Sequence, residues 1–388
     1  MTIETPAPTT VVLDAILSRD DLLDALTFTG VSVSSRPPVP ILGGVRLDAS
    51  ADQITLSTTD FESFAWQTIR APGVTPASVV LPHASLVKIV KTLPKSSHVV
   101  TLNVTGGHAV VGDGQTTFKV PVMDLDAFPS RPTGAWFKVV EMSGKAFHET
   151  ITRVTVAAST DLTVPILTNV AFKAARDHVN ILATDRYRLT AQRVDQCPDV
   201  DRTVLLPSKL LTAAAALFKS SPVVTLRSDR HRRDATPVGF FSTLSDGQRG
   251  ITIGENEGEY PAVERLFPDE GQTPTTVDLD TADTLAAIKQ VDVALNRGEP
   301  VRLDLGDPVL VQAGNGDLSA ERPLKVSAVQ GQQEADAVAF NPKFFTDALK
   351  ACGTTVRMAV NHPNKPVLFT STDAPGFRYL LVPIRFAR

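Results

Sequence analysis

The chain has 388 residues, a hydrophobic fraction of 43%, a charged fraction of 21% and a formal net charge of −4. That length suits two or three domains of ordinary size, and the balance is that of a soluble globular protein rather than a disordered or fibrous one. So small a net charge excludes a protein that coats nucleic acid indiscriminately, while leaving room for local basic patches.

Thr2 to Thr10, rich in Pro and Thr, reads as a frayed tail, with no basic segment and apolar core of a signal peptide. Ser18, followed by Asp20 and Asp21, caps a first helix that carries Leu22, Leu23 and Leu26 on one face. Val45-Arg46-Leu47-Asp48 and Gln53-Ile54-Thr55-Leu56 alternate as half-buried antiparallel strands. A second helix starts at Pro82, where proline suits the first turn, and carries Leu86, Ile89, Val90 and Leu93. A hairpin over 99–111 follows, and Phe128-Pro129-Ser130-Arg131-Pro132 ends the unit.

The same succession returns. Phe147, Ile151 and Val154 follow Ser143 at helical spacing, and strands start at Val170 and Val179. A helix from Pro207 carries Leu210, Leu211, Ala214, Leu217 and Phe218, and Tyr260-Pro261 to Phe267-Pro268 closes the second unit. In the third, Leu285, Ile288, Val291 and Leu295 mark the first helix, and strands begin at Val301 and Val309. Pro342 opens a helix with Phe344, Phe345, Ala348 and Leu349. The likeness reaches single residues: Pro40 to Asp60 returns as Pro165 to Asp185 at a constant offset of 125, and Leu81-Pro82 as Leu206-Pro207. The chain is three copies of one α+β unit, each with two helices on one face of an antiparallel sheet. The expected boundaries are 1–134, 135–265 and 266–388.

Chemical motifs are sparse. Cys197 and Cys352 are far apart and read as two buried thiols in a reducing compartment. The longest apolar stretch, Leu210 to Phe218, is about half of a membrane span, so a cytoplasmic protein is expected. Seven histidines never pair at metal-ligand spacing. Ser85-Leu86-Val87-Lys88 fits a serine acyl-enzyme pattern without that family's companion motifs. Gly314-Asn315-Gly316-Asp317 reads as a hairpin turn, and the charge run from Asp229 to Asp234 as a solvated hairpin tip. In Asp185-Arg186-Tyr187-Arg188 the aspartate either caps a turn and pairs with an arginine, or forms a recognition surface with Tyr187. Lys88, Lys91, Lys145, Arg153, Lys209, Lys219, Lys289, Lys343 and Lys350 fall on or beside the six helices. Each alone is ordinary helix surface; across three repeats they suit phosphate contacts without base reading.

Arg36-Pro37-Pro38-Val39-Pro40-Ile41-Leu42, the strand end Ala183 to Leu189, and Tyr379 to Arg385 together resemble the bacterial sliding clamp family, the beta subunit of DNA polymerase III. The resemblance covers essentially the whole chain. It implies a non-catalytic, cofactor-free head-to-tail homodimer whose ring surrounds duplex DNA. Twelve helices at ~9 Å spacing would leave a hole of about 24 Å, enough for a duplex. It also implies a groove for peptides of the polymerase alpha subunit, clamp loader and repair proteins. The groove residues carried over are Thr184, Arg186, Tyr187, Arg188, Leu189, Pro261, Arg265, Leu266, Asn341, Phe344, Pro366, Val382, Pro383, Ile384 and Arg385. Arg36 joins the helix lysines as a DNA contact, and Phe118 is expected to face Val293 and Leu295 at the ring seam. The chain departs from many clamps in having Arg186-Tyr187 for Gly-His, an extension Phe386-Ala387-Arg388, and Val164 where arginine is common. Arg with an aromatic is frequent in actinobacterial clamps. The alternatives are an accessory copy that confers resistance to a clamp-binding antibiotic, and a hydrolase using Ser85 and Lys88.

Overall fold

The computed structural model describes residues 11–34, 36–229, 240–268, 275–314, 318–330 and 336–385. The Thr2–Thr10 tail, Arg230–Asp234 of the charge run, Asn315–Asp317 and the Phe386–Arg388 extension lie outside the described residues.

Six α-helices occur among the described residues: α1 Arg19–Thr29, α2 His83–Thr92, α3 Gly144–Thr155, α4 Ser208–Leu217, α5 Thr281–Val291 and α6 Pro342–Cys352. None of the described helices is long and apolar enough to cross a membrane. Ser18 caps α1 by accepting the Asp21 N–H at 3.3 Å, and Asp280 and Asn341 cap α5 and α6 in the same way. Pro342 occupies the first turn of α6 as expected. Pro82 and Pro207 do not: each is the last residue of the preceding strand. Proline fixes φ but leaves ψ open, and Pro82 is extended, with ψ at 113°. Leu295 also falls outside its helix, because α5 ends at Val291 and a 3₁₀ turn, Asp292–Ala294, follows.

A strand precedes each first helix, and the periodicity missed all three: Val11–Ser18, Trp136–Met142 and Thr275–Asp280. In the first, Leu13, Ala15 and Leu17 are buried, yet Val12 and Ile16 on the opposite face are apolar and exposed. Two apolar faces hide the period of two.

The chain divides into two compact units, Met1–Gly144 with Ala216–Glu255, and Lys145–Ala215 with Asn256–Arg388. In the first, a core of Leu13, Leu17, Leu26, Val45, Leu47, Leu56 and Val90 sits beneath α1 and α2. Its eight-stranded antiparallel sheet is continuous because Ser63–Arg70 pairs with Arg249–Gly254. A separate four-stranded sheet ends on Thr117–Pro121. In the second unit, Arg188–Val194 pairs with Phe377–Leu381 to make a nine-stranded sheet, with Arg188 opposite Leu381. A second four-stranded sheet there ends on Ala320–Pro323. The strands of the middle repeat are thus shared between the eight- and nine-stranded sheets.

Both cysteines are free. Cys352 is buried, and burial pushes its thiol up to about 12. Cys197 is exposed, against expectation: it lies in an irregular segment between the exposed Asp195 and Asp199. Asp229 likewise differs from the solvated tip expected: it is buried at the end of the strand Val224–Asp229.

Candidate partner groove and basic helix faces

The 125-residue echo extends to hydrogen bonds. In the first copy, Phe61 N–H donates to Thr59 Oγ1 at 3.0 Å and Ser63 N–H to Asp60 Oδ1 at 2.7 Å. In the second, Arg186 N–H donates to Thr184 Oγ1 at 3.2 Å and Arg188 N–H to Asp185 Oδ1 at 3.0 Å. Asp60 and Asp185 each close the turn with their own N–H on the carbonyl three residues on. The same turn, hydroxyl contact included, occurs again at Ser245-Asp246-Gly247-Gln248-Arg249. Sequence reading missed it, because serine replaces threonine and no fixed offset leads to it. The middle residue has positive φ each time: 75° at Phe61, 81° at Arg186 and 97° at Gly247. Only the third uses glycine, the residue such a backbone favours.

Arg188 is not a free groove arginine. It is 8% exposed, and its Nε and Nη1 donate to Asp185 Oδ2 at 2.9 Å and Asp347 Oδ2 at 2.7 Å. Its guanidinium carbon lies 4.3 Å from the Phe344 ring centroid. Burial works against this charge, but Tyr379 and the two carboxylates outweigh it, so the pKa is raised. The sequence alternative in which Asp185 caps a turn and pairs with an arginine is therefore realised. Asp347 had no role in the sequence reading, although its place three residues after Phe344 sets both on one face of α6. Tyr260 was also missed: its hydroxyl oxygen accepts the Thr184 N–H at 3.0 Å and braces the turn from below. Burial raises the pKa of Tyr260 and of Tyr379.

Around this anchor the second unit gathers most of the expected wall. Tyr187 is 58% exposed, and its ring lies 6.2 Å from that of Phe344. Val382 N–H donates to Tyr187 carbonyl oxygen at 2.9 Å, and Ile384 N–H to Ala339 carbonyl oxygen at 2.7 Å. Val382 to Arg385 therefore run beside the turn, with Val382 and Arg385 exposed and Pro383 buried. Pro366 precedes the strand Val367–Thr370, whose first residue pairs with Leu381. Leu189 is buried with Val263 and Phe267, which leaves Arg265 and Leu266 exposed on the 3₁₀ segment Val263–Leu266 and Pro261 exposed just before it. Asn341 is spent on capping α6. The result is an aromatic and aliphatic shelf with exposed cations at its rim, chemistry suited to an apolar peptide with polar flanks.

The basic positions divide. Lys289, Lys343 and Lys350 line one cleft of about 720 Å³ between α5 and α6, with Arg297 and Leu295. Lys88 and Lys91 line another of about 550 Å³ along α2. Lys145, Lys209 and Lys219 are exposed at helix ends, Arg36 is exposed in a bend, and Arg153 is half-buried in the last turn of α3. Among the described residues no group of His, Cys, Asp or Glu could hold a metal ion.

Three segments of the chain match the DNA polymerase III beta subunit: its N-terminal domain over 13–132, its central domain over 141–248 and its C-terminal domain over 264–385. The chain belongs to the bacterial sliding clamp family. It is 32% identical to the beta sliding clamp of Micrococcus luteus over 78% of this chain and 94% of that one. It is 28% identical to that of Streptomyces coelicolor over 96% and 99%. The fold matches the beta subunit from the DNA polymerase of Streptococcus pyogenes with a TM-score of 0.85, at 20% identity, over 96% of this chain and all of that one.

The residues assigned to a clamp seam are accessible on each unit separately. Phe118, on the edge strand Thr117–Pro121, is half-buried against the first unit's core. In the second unit Val293 is 81% exposed just past α5, and Leu295 faces the α5–α6 cleft. Helix α5 packs on the edge strand Ala320–Pro323 and holds it through an Arg322–Asp283 ion pair.

Proposed function

We propose that two copies of this chain close head to tail into a ring that encircles duplex DNA and tethers replication and repair proteins, without catalysing a reaction or needing a cofactor. The observation that carries this reading is a pair of open strand edges. Ser63–Arg70 and Arg188–Val194 are equivalent strands, and each joins its sheet to a strand of the next repeat. Among the described residues the equivalent strand of the third repeat, Ala320–Pro323, has an unpaired edge, as does Thr117–Pro121, the first repeat's counterpart of Arg249–Gly254. An open edge invites another strand, and head-to-tail pairing supplies one to each.

The internal joint sets the register. Arg46, Ser57 and Trp66 lie side by side across three strands, as do Arg302, Gln312 and Glu321, so Ala320 corresponds to Ala65. Leu102, Val111 and Phe118 correspond in the same way to Leu226, Leu244 and Ile251. Ala65 lies opposite Ile251, which puts Ala320 opposite the partner subunit's Phe118. Val293, at the end of the helix on that edge strand, and Leu295 complete the seam.

In this reading the domains are 1–134, 135–265 and 266–388. Arg36, Lys88, Lys91, Lys145, Arg153, Lys209, Lys219, Lys289, Lys343 and Lys350 touch phosphates without reading bases. The Tyr187–Phe344 shelf and its neighbours take peptides of the DNA polymerase III alpha subunit, the clamp loader and other clamp-binding proteins, in the cytoplasm. Sedimentation equilibrium tests the assembly. At micromolar concentration a species of twice the 41.5 kDa chain mass is expected, and a pure monomer would sink the ring.

A further inference from the structure

Resting on the groove reading above, we propose that Arg186 makes this shelf selective for peptides that carry acidic residues beside their apolar anchor. The first observation is backbone strain. Arg186 holds a φ of 81° in a turn that the same chain builds with glycine at Gly247. A left-handed conformation costs a non-glycine residue roughly 1–2 kcal/mol, and such strain gathers where a side chain is needed.

The second observation is the division of labour between two neighbouring arginines. Arg188 has its charge spent on Asp185 and Asp347 inside the fold. The Arg186 side chain is 58% exposed, and its only ion-pair contact among the described residues is a loose one, 3.6 Å from Asp161, itself 45% exposed. Asp161 is itself committed to Thr163, which donates to it from both backbone and side chain. Arg186 therefore immediately precedes Tyr187 in the chain with a guanidinium free to change partners. A carboxylate on the incoming peptide can displace Asp161 and take a paired contact with the planar fork. The apolar residues give the peptide its affinity; this rim charge gives preference among peptides.

The test uses the full chain and two fluorescein-labelled peptides with the same aliphatic–aromatic anchor, one flanked by two aspartates and the other by two asparagines. Fluorescence polarisation at low salt gives the ratio of their dissociation constants. The expected ratio is roughly three- to fivefold in favour of the acidic peptide, the scale of an exposed ion pair, and it shrinks in 0.5 M salt. Arg186→Gly, which suits the turn's backbone, brings the ratio to about one, while Arg186→Lys retains most of it. Equal affinities on the unaltered chain, or a ratio that survives Arg186→Gly, overturn this inference alone. Failure of both peptides to bind overturns the groove reading, and this inference with it.

Discussion

The guanidinium of Arg188 lies 4.3 Å from the Phe344 ring centroid while the same group holds Asp185 and Asp347. One buried cation therefore ties a strand turn to helix α6 and fixes the aromatic shelf above it. Arg188→Ala leaves two carboxylates without their cation in a largely dry site, at a cost of about 3 kcal/mol. Urea unfolding followed by circular dichroism is expected to show that loss, with partial recovery in Arg188→Lys. A variant as stable as the parent would contradict the role given to this residue.

Tyr260 supports the same turn through one hydrogen bond. Tyr260→Phe removes the acceptor of a buried N–H, a loss of about 1–2 kcal/mol. The local signature is faster hydrogen exchange at the Thr184 amide, with the amides of Ser63 and Arg249 in the equivalent turns unchanged. Uniform exchange in all three turns would mean that Tyr260 braces nothing.

His83 makes stability depend on pH. Its Nε2 meets the Leu26 carbonyl oxygen at 2.8 Å, but burial dominates and holds its pKa below the usual 6.5. Between those two values the unfolded chain binds the proton that the folded chain refuses. This contribution is full above about pH 6.5, is lost as pH falls through that value, and levels off below the folded pKa. Thermal melts from pH 7.5 to 5.5 are expected to fall less steeply in His83→Asn than in the parent; parallel curves would exclude the effect.

Val293 carries its prediction at the seam. It is 81% exposed within the chain, so Val293→Asp leaves the fold intact but sets a charge in the proposed interface. Sedimentation velocity should show dimer association weakened roughly tenfold or more. An undiminished dimer would move the seam elsewhere.

The cleft that holds Lys289, Lys343 and Lys350 is open to a salt titration. If each neutralises one phosphate, replacing it by alanine reduces the slope of log K against log salt by about 0.9. DNA association measured from 50 to 200 mM salt reads this directly. An unchanged slope in the triple variant would remove these lysines from the DNA surface.

The repeat itself was plain in the sequence, because Pro40 to Asp60 and Pro165 to Asp185 largely match in residue type at one offset. The cap at Ser18 and the helix start at Pro342 followed from local chemistry. Sheet continuity did not: Ser63 meets Ile253 across 190 residues, and nothing in either strand's pattern names its partner. Arg188 was misjudged for a related reason. A charged residue reads as solvated until the fold brings Asp347 to it from 159 positions away. Tyr187, by contrast, was recognisable as the place where the copies diverge while the turn beneath it stays the same.

A ring holds DNA by topology, and retention on DNA of two shapes tests that hold. The chain is loaded by a clamp loader onto a nicked circle, and the complex is gel-filtered in high salt before and after the circle is linearised. The dimer is expected to stay with the circle and leave the linear molecule, because a ring slides off a free end. Equal retention on both shapes, or none on the circle, would contradict it.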